Sequence, residues 1–443
     1  MTTTLETETR APEYVSGFEE ARFAELGSAG EPALLQAKRE EAFAVYSGMP
    51  TPTSRTEAWR RTDPGLFPFG KVTPMPLIAQ GEQADSDEWD EQFDLVVAVT
   101  DDQYTLTDRA GLLAGGKVSV GTLAEAAVAR PELIERRLQG EILPPSTNKF
   151  VALNQAFWNM GFYVEVAEGV EMERGVLFRY NFQRNESVVV PRLLVVVGAG
   201  SRAKLVERYV SADEATLVSV ASKEMYVGEG ANLQMVTSHD WGDQTYVMDH
   251  DMAKVERDGR IDWITLNFGG KVSKLMFGSD VAGPGSSAEL DGLFFAAADQ
   301  HVDQTTLQIH SSPHTYSRLL YKGAVKDRGH SVYQGIIQAK PGAIDVDSYQ
   351  TNNNLVLNDG ARADTIPGLL IDADDLKCSH GATIGNVDPE QVFYLRSRGL
   401  SEDEARRMLI VGYFEEIVDR IPFEFLKDRV HEHIEEKLAG RTL

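Results

Sequence analysis

A chain of 443 residues is long enough to bury a sizeable core, and 42% hydrophobic with 25% charged residues mark it as globular rather than disordered. Its 68 acidic against 43 basic side chains give a formal net charge of −25, a surface that repels phosphate backbones, so nucleic acid is excluded as an expected partner. The single cysteine, Cys378, cannot close an internal disulfide and cannot by itself hold an iron–sulfur cluster, which takes several protein ligands.

Residues 1–12 read as a disordered tail; they are polar, rich in Thr and Glu, and lack the basic start and apolar run of a signal peptide. No apolar run reaches bilayer-spanning length, so no membrane association is expected and the cytoplasm is the expected location. Residues 13–150 read as a helical and mixed region. Pro32 takes a first helical position ahead of Ala33, Leu34, Ala37, Phe43 and Ala44, and Gly48 and Pro50 end that helix. Further on, residues 95–99 form an apolar strand and Leu123–Ala129 an Ala-rich helix.

From about residue 151 the texture changes. Short β-branched runs are broken by glycine turns such as Gly198-Ala199-Gly200, Gly228-Glu229-Gly230, Gly283-Pro284-Gly285 and Pro341-Gly342-Ala343. The turns recur at about thirty residues early and about eighteen late. Strands so spaced, with no long helix between them, predict a mainly β architecture. The length of the region, the repeated pairing of glycine with a small residue and the short stackable tracts favour a β-solenoid over a sandwich or a propeller. The solenoid is assigned to residues 151–385 and a helical region to residues 386–443. In the latter, Ser401-Glu402-Asp403-Glu404 is a capping box, Ala405, Met408, Leu409, Gly412, Tyr413 and Ile417 fall on one face, and residues 423–438 form a second helix. By pattern these helices cap the open end of the solenoid; a docking surface for a partner is the alternative.

Signatures of catalysis are mostly missing. No phosphate-binding glycine loop of the G-x-x-x-x-G-K-[ST] type is present, so no nucleotide site is expected in this chain. His431-Glu432-His433 on a helix puts its rings about 200° apart, which reads as a solvated face rather than a metal motif. His301, Asp303, His310 and His314 are dense but unspecific. On a strand His301 and Asp303 share one face and His310 takes the other, so a strand face or an interface explains them better than a metal site. Asp345 and Asp347 are the carboxylate pair that a β-helix polysaccharide-active enzyme would use, the alternative reading of the fold.

Cys378 and His380 are better placed. If residues 374–380 form a strand of the last coil, thiol and imidazole point the same way, about 7 Å apart at the backbone. A thiolate beside an imidazole suits iron or zinc, yet it is half of a closed site. The missing ligands would come from a facing chain, from neighbouring coils or from small molecules. Leu376 shares the register, and a buried cysteine is most often a small apolar residue, so a core role for the thiol stays open.

The run Asp374-Asp375-Leu376-Lys377-Cys378-Ser379-His380-Gly381-Ala382-Thr383-Ile384-Gly385 closely resembles the signature of the SufB/SufD family of the SUF iron–sulfur cluster assembly machinery, and of its SufD branch in particular. The resemblance continues through Gln391-Val392-Phe393-Tyr394-Leu395-Arg396-Ser397-Arg398-Gly399. It includes His301-Val302-Asp303, His310, Pro313-His314-Thr315, Tyr321-Lys322-Gly323 and Gln350-Thr351-Asn352-Asn353-Asn354-Leu355, and near the start Arg55-Thr56-Glu57-Ala58-Trp59-Arg60-Arg61-Thr62-Asp63. The SufB branch differs by a cysteine where this chain has Thr351 and a His-Glu pair where it has Ser379-His380; Leu370, often Glu in the family, is a minor departure.

The resemblance implies a right-handed parallel β-helix flanked by helical regions. It further implies a non-catalytic scaffold that pairs with SufB through the β-helix, and a docking site for the ATPase SufC on the C-terminal helices, with ATP hydrolysis in SufC. A transient cluster, or its iron, would lie at the SufB–SufD interface with His380 as ligand and Cys378 as a lesser one, and the chain would assist iron entry. Tyr394, Arg396, Arg398, Met408 and Tyr413 are the expected partner contacts, and whether the chain forms a homodimer when SufB is absent is left open by the sequence.

Overall fold

The computed structural model describes residues 15–27, 30–82, 87–138 and 140–440; the expected tail lies outside them. From residue 160 the chain winds through about eight coils of a parallel β-solenoid. Each coil gives one strand to each of two sheets. The first sheet runs from Met160–Val166 to Arg362–Ile371 and the second from Val176–Phe182 to Lys377–Gly385. Successive side chains alternate between the lumen and the outside, which is why Ser348, Gln350, Asn352 and Asn354 are buried while the residues between them are not.

The coil length is set by register. His301 pairs with His330, 29 positions on, and Ser317 meets Ser348, 31 positions on. The shorter late spacing read in the sequence therefore counts half-coils, because a turn occurs on each side of the solenoid. Those turns stack at the strand spacing of about 4.8 Å, which leaves no room for side chains at their inner corners. A Cβ on Gly283 would lie 1.9 Å from the backbone nitrogen of Arg257 in the turn below.

The first coil is closed by the N-terminal region. Leu95–Thr100 pairs in parallel with Val176–Phe182, and Val118–Thr122 pairs antiparallel with Met160–Val166. The helix Lys149–Phe157 is buried along its whole length, and the Asn154 amide donates to the carbonyls of Pro191 and Val220 at 2.7 and 2.8 Å. The expected helices near residues 33–48 and at Leu123–Ala129 are present, and Thr122 caps the second with Glu125 in a capping box.

The C-terminal helices are not a cap on the open end. Glu402–Val418 and Glu424–Ala439 lie along the outer face of the second sheet, where Ile410, Phe414, Ile417 and Ile434 pack with Leu266, Phe268, Leu293, Phe295 and Leu320. That sheet face is apolar and must be covered, so it takes the helices. The buried stripe is Ala405, Ile410, Phe414, Ile417 and Val418, rotated from the expected one; Met408 and Gly412 are exposed.

His433 also departs from expectation. The two rings do diverge, but one of them is driven inward: His433 is buried, edge-on to Phe268 with centroids 4.9 Å apart, while His431 reaches Glu415 at 2.7 Å. A further helix, Pro389–Ser397, follows the last strand. Its signals, Asp388 as cap and Pro389 at the first position, were present in the sequence.

Candidate functional site at the open end of the solenoid

The last strand is Lys377–Gly385, beginning later than residue 374 because Asp375, at φ 57°, is in a turn. It pairs in parallel with Asp347–Val356, placing Cys378 opposite Ser348 and His380 opposite Gln350. Since Ser348 and Gln350 face the lumen, Cys378 and His380 face it too, as their spacing required. No coil follows, so that side opens to solvent. His380 is exposed, and among the described residues none hydrogen-bonds to its ring. Beneath it Gln350 is fully buried, with neither amide atom partnered.

Cys378 is half-buried and packs with Leu376, Ala339, Ala343 and Val346. Burial pushes its thiol up to about 11, and the nearby Asp347 carboxylate adds to the shift, so the free chain carries a thiol rather than a thiolate at neutral pH.

The lumen below is polar in the later coils. Ser317 Oγ lies 2.7 Å from Ser348 and 2.8 Å from His310 Nε2, and Thr306 meets Tyr333 at 2.7 Å. His310 is thus a buried lumen residue, and burial lowers its pKa to about 4, keeping the ring neutral. Deeper, Lys223 is ion-paired with Glu207 and with Asp251, the latter at 2.8 Å. Asp249 beside them is held well above the usual carboxylate range by burial and by Asp251.

The other sequence candidates divide. His301 and Asp303 share the outer face of the first sheet, away from His310, under the segment that carries Trp59 and Thr62. His314 and Asp345 pair at 2.8 Å in exposed turns, so Asp345 and Asp347 do not line a groove as a carboxylate pair. Tyr394 and Met408 are exposed at 56% and 53%, Arg398 lies over the Tyr394 ring at 5.2 Å, and Arg396 is 3.4 Å from Glu402. Tyr413 is committed within the chain. Its hydroxyl donates to the Asn353 carbonyl at 2.6 Å, and its own carbonyl accepts from Lys322. Sequence reasoning missed Gln350, His330 and Asp364 as partners of candidate residues; the coil length, once known, would have found each one coil from its partner.

A parallel β-solenoid, closed at its first coil and unpaired at its last, with a thiol and an imidazole on the lumen side of its final strand, is the class of protein these features define. Sequence comparison gives the family. The sequence model of the SUF system FeS cluster assembly SufBD core domain matches residues 179–413, and the chain belongs to that family. An iron-sulfur cluster assembly SufBD family protein of Mycobacterium leprae is 36% identical over 224 residues, 49% of this chain and 57% of that protein. A Mycobacterium bovis protein of the same description is 34% identical over 276 residues, 58% of this chain and 70% of that one. The iron-sulfur cluster assembly protein SufB of Bacillus subtilis is 28% identical over 302 residues, 68% and 65% of the two chains. The match thus spans little more than half the length of the M. leprae relative. Among the described residues no helix is long and apolar enough to cross a membrane.

Proposed function

We propose that this chain is the SufD-type, non-catalytic scaffold subunit of a cytoplasmic SUF iron–sulfur cluster assembly complex. The observation that carries this reading is the unpaired final coil, with His380 at the mouth of the lumen. Arg362–Ile371 and Lys377–Gly385 are the last strands of the two sheets, and each leaves one edge free to template a strand of another chain. Leu370 and Ile384, 53% and 49% exposed, give that end an apolar surface to bury.

A SufB chain laid against these strands supplies the ligands that His380 lacks, and the nascent cluster or its iron is held between the two chains as cargo. Cys378, a thiol in the free chain, is the lesser ligand. Iron entry through this subunit would use the same mouth. Residues 151–385 serve as the pairing core, with residues 13–150 closing the far end. Residues 386–443 dock the SufC ATPase, in which ATP is hydrolysed. Phe393, Tyr394 and Met408, exposed at 73%, 56% and 53%, with Arg396 and Arg398, form the contact. Without SufB the same free strands pair with a second copy.

The test is co-expression with SufB- and SufC-type partners, followed by purification and iron and sulfide analysis without oxygen. Leu370→Lys with Ile384→Lys is expected to abolish co-purification with the SufB-type chain and leave the SufC-type chain bound. Undiminished recovery of the SufB-type partner would sink the pairing surface.

A further inference from the structure

A second constellation lies on the outer face of the first sheet, away from the open end. His301 and His330 are cross-strand partners one coil apart, with Nδ1 atoms 3.1 Å from each other. The second nitrogen of each ring is already committed as a donor. His330 Nε2 lies 2.9 Å from Asp364 Oδ2, and a carboxylate only accepts. His301 Nε2 lies 2.8 Å from Thr62 Oγ1. The one hydroxyl proton of Thr62 goes to Asp303, a carboxylate that also accepts from Lys274 Nζ at 2.7 Å. Thr62 therefore accepts from His301.

A neutral imidazole carries one N–H. With both Nε2 atoms donating, the two Nδ1 atoms turn lone pairs on one another at 3.1 Å. That arrangement is repulsive unless a cation stands between them. Two cations can stand there, a proton shared between the rings or a metal ion. A metal ion fits. Two nitrogens each about 2.0–2.1 Å from one ion stand about 3 Å apart when they subtend roughly 100°. The carboxylate behind His330 and the Thr62–Asp303 relay behind His301 are the partners that fix tautomer and orientation in metal-bound histidines.

We infer that His301 Nδ1 and His330 Nδ1 are the two protein ligands of a divalent first-row metal ion, zinc or iron by the preference of imidazole, completed by water. Among the described residues no group of three or more His, Cys, Asp or Glu side chains is placed to hold a metal ion, so the two imidazoles are the protein's whole contribution to this site. It is distinct from the open-end site and stands or falls separately from it.

The test uses the full chain in a Cys378→Ser, His380→Ala background, which removes the open-end candidates. The metal-stripped protein is titrated with Zn²⁺ by calorimetry and with Co²⁺ by visible absorption, with exclusion of oxygen. One equivalent is expected to bind. His330→Gln should weaken it at least tenfold, and Asp364→Asn by about 10–100-fold, the usual cost of losing the carboxylate behind a metal-bound histidine. Thermal melts of each variant confirm that it is folded. Absence of binding in the parent, or equal binding by His330→Gln, overturns the inference. So does a downfield imidazole N–H resonance that depends on His330 but is indifferent to added metal, which would mean a shared proton only.

Discussion

Gln350 and His380 face each other across the last strand pair of the second sheet, one fully buried with an unpartnered amide and the other open to solvent. The exposed ring contributes little to packing, so His380→Ala is expected to change stability by no more than about 0.5 kcal/mol. On the assembled complex the same change should lower cluster formation strongly. Thermal melts of the free chain, beside iron and sulfide content of the complex, check the two halves; normal cluster yield would remove His380 from the site.

Cys378 offers a chemical readout. With its thiol pushed up to about 11 by burial and by Asp347, only a small fraction is thiolate at neutral pH. Against an unperturbed thiol near 8.5, alkylation at pH 7.5 should be on the order of a hundred-fold slower. The rate should climb about tenfold per pH unit up to pH 10. Mass spectrometry of iodoacetamide-treated protein over that range measures it; a plateau near pH 8.5 would contradict the buried setting.

Lys223 balances Glu207 and Asp251 inside the lumen, with all three side chains at most 2% exposed. Lys223→Met leaves two buried carboxylates without their cation, and such breaks typically cost about 3–5 kcal/mol. A large fall in denaturant midpoint is expected at pH 7. Acid should lessen the difference between variant and parent, because the orphaned carboxylates become protonated.

Lys437 makes the opposite prediction. It is buried near the end of the last helix, donates to Gln300 Oε1 at 3.0 Å, and burial lowers its pKa to about 8. Below about pH 8 both folded and unfolded chains carry the charge, and the fold bears the full burial penalty. Between about 8 and 10.5 the unfolded chain holds more protons than the folded one, so stability from this group rises with pH. Lys437→Met should therefore stabilise the protein at pH 7 by about 1–3 kcal/mol, and the gain should shrink as pH approaches 10.5. Chemical denaturation at pH 7 and at pH 10 tests the sign.

Much of this molecule is legible in its sequence because the signals are local. Glycine beside a small residue marks the stacked turns, Ser401 with Glu404 marks a helix start, and the spacing of Cys378 and His380 places both on one side of a strand. What is hidden depends on the exact coil length. That His301 meets His330, or that Gln350 lies under His380, follows only from a register of about thirty residues, and turn spacing blurred that register by marking both sides of each coil. The outer faces were hidden for a different reason. Which stripe of a helix turns inward depends on the surface it covers, and the apolar face formed by Leu266, Leu293 and Leu320 gathers residues far apart in the chain.

The solenoid's one-dimensional build has a kinetic consequence. Interior coils are gripped from both sides, whereas the coil carrying Cys378 and His380 has a single neighbour. In a nearest-neighbour chain of this kind, opening starts where half of the interface terms are missing. The free subunit should therefore exchange its amide hydrogens fastest at residues 377–385 among its solenoid strands, with protection rising coil by coil toward residue 160. Anything that seats itself on the last coil would do more than contact it, by turning the loosest rung of the ladder into an interior one.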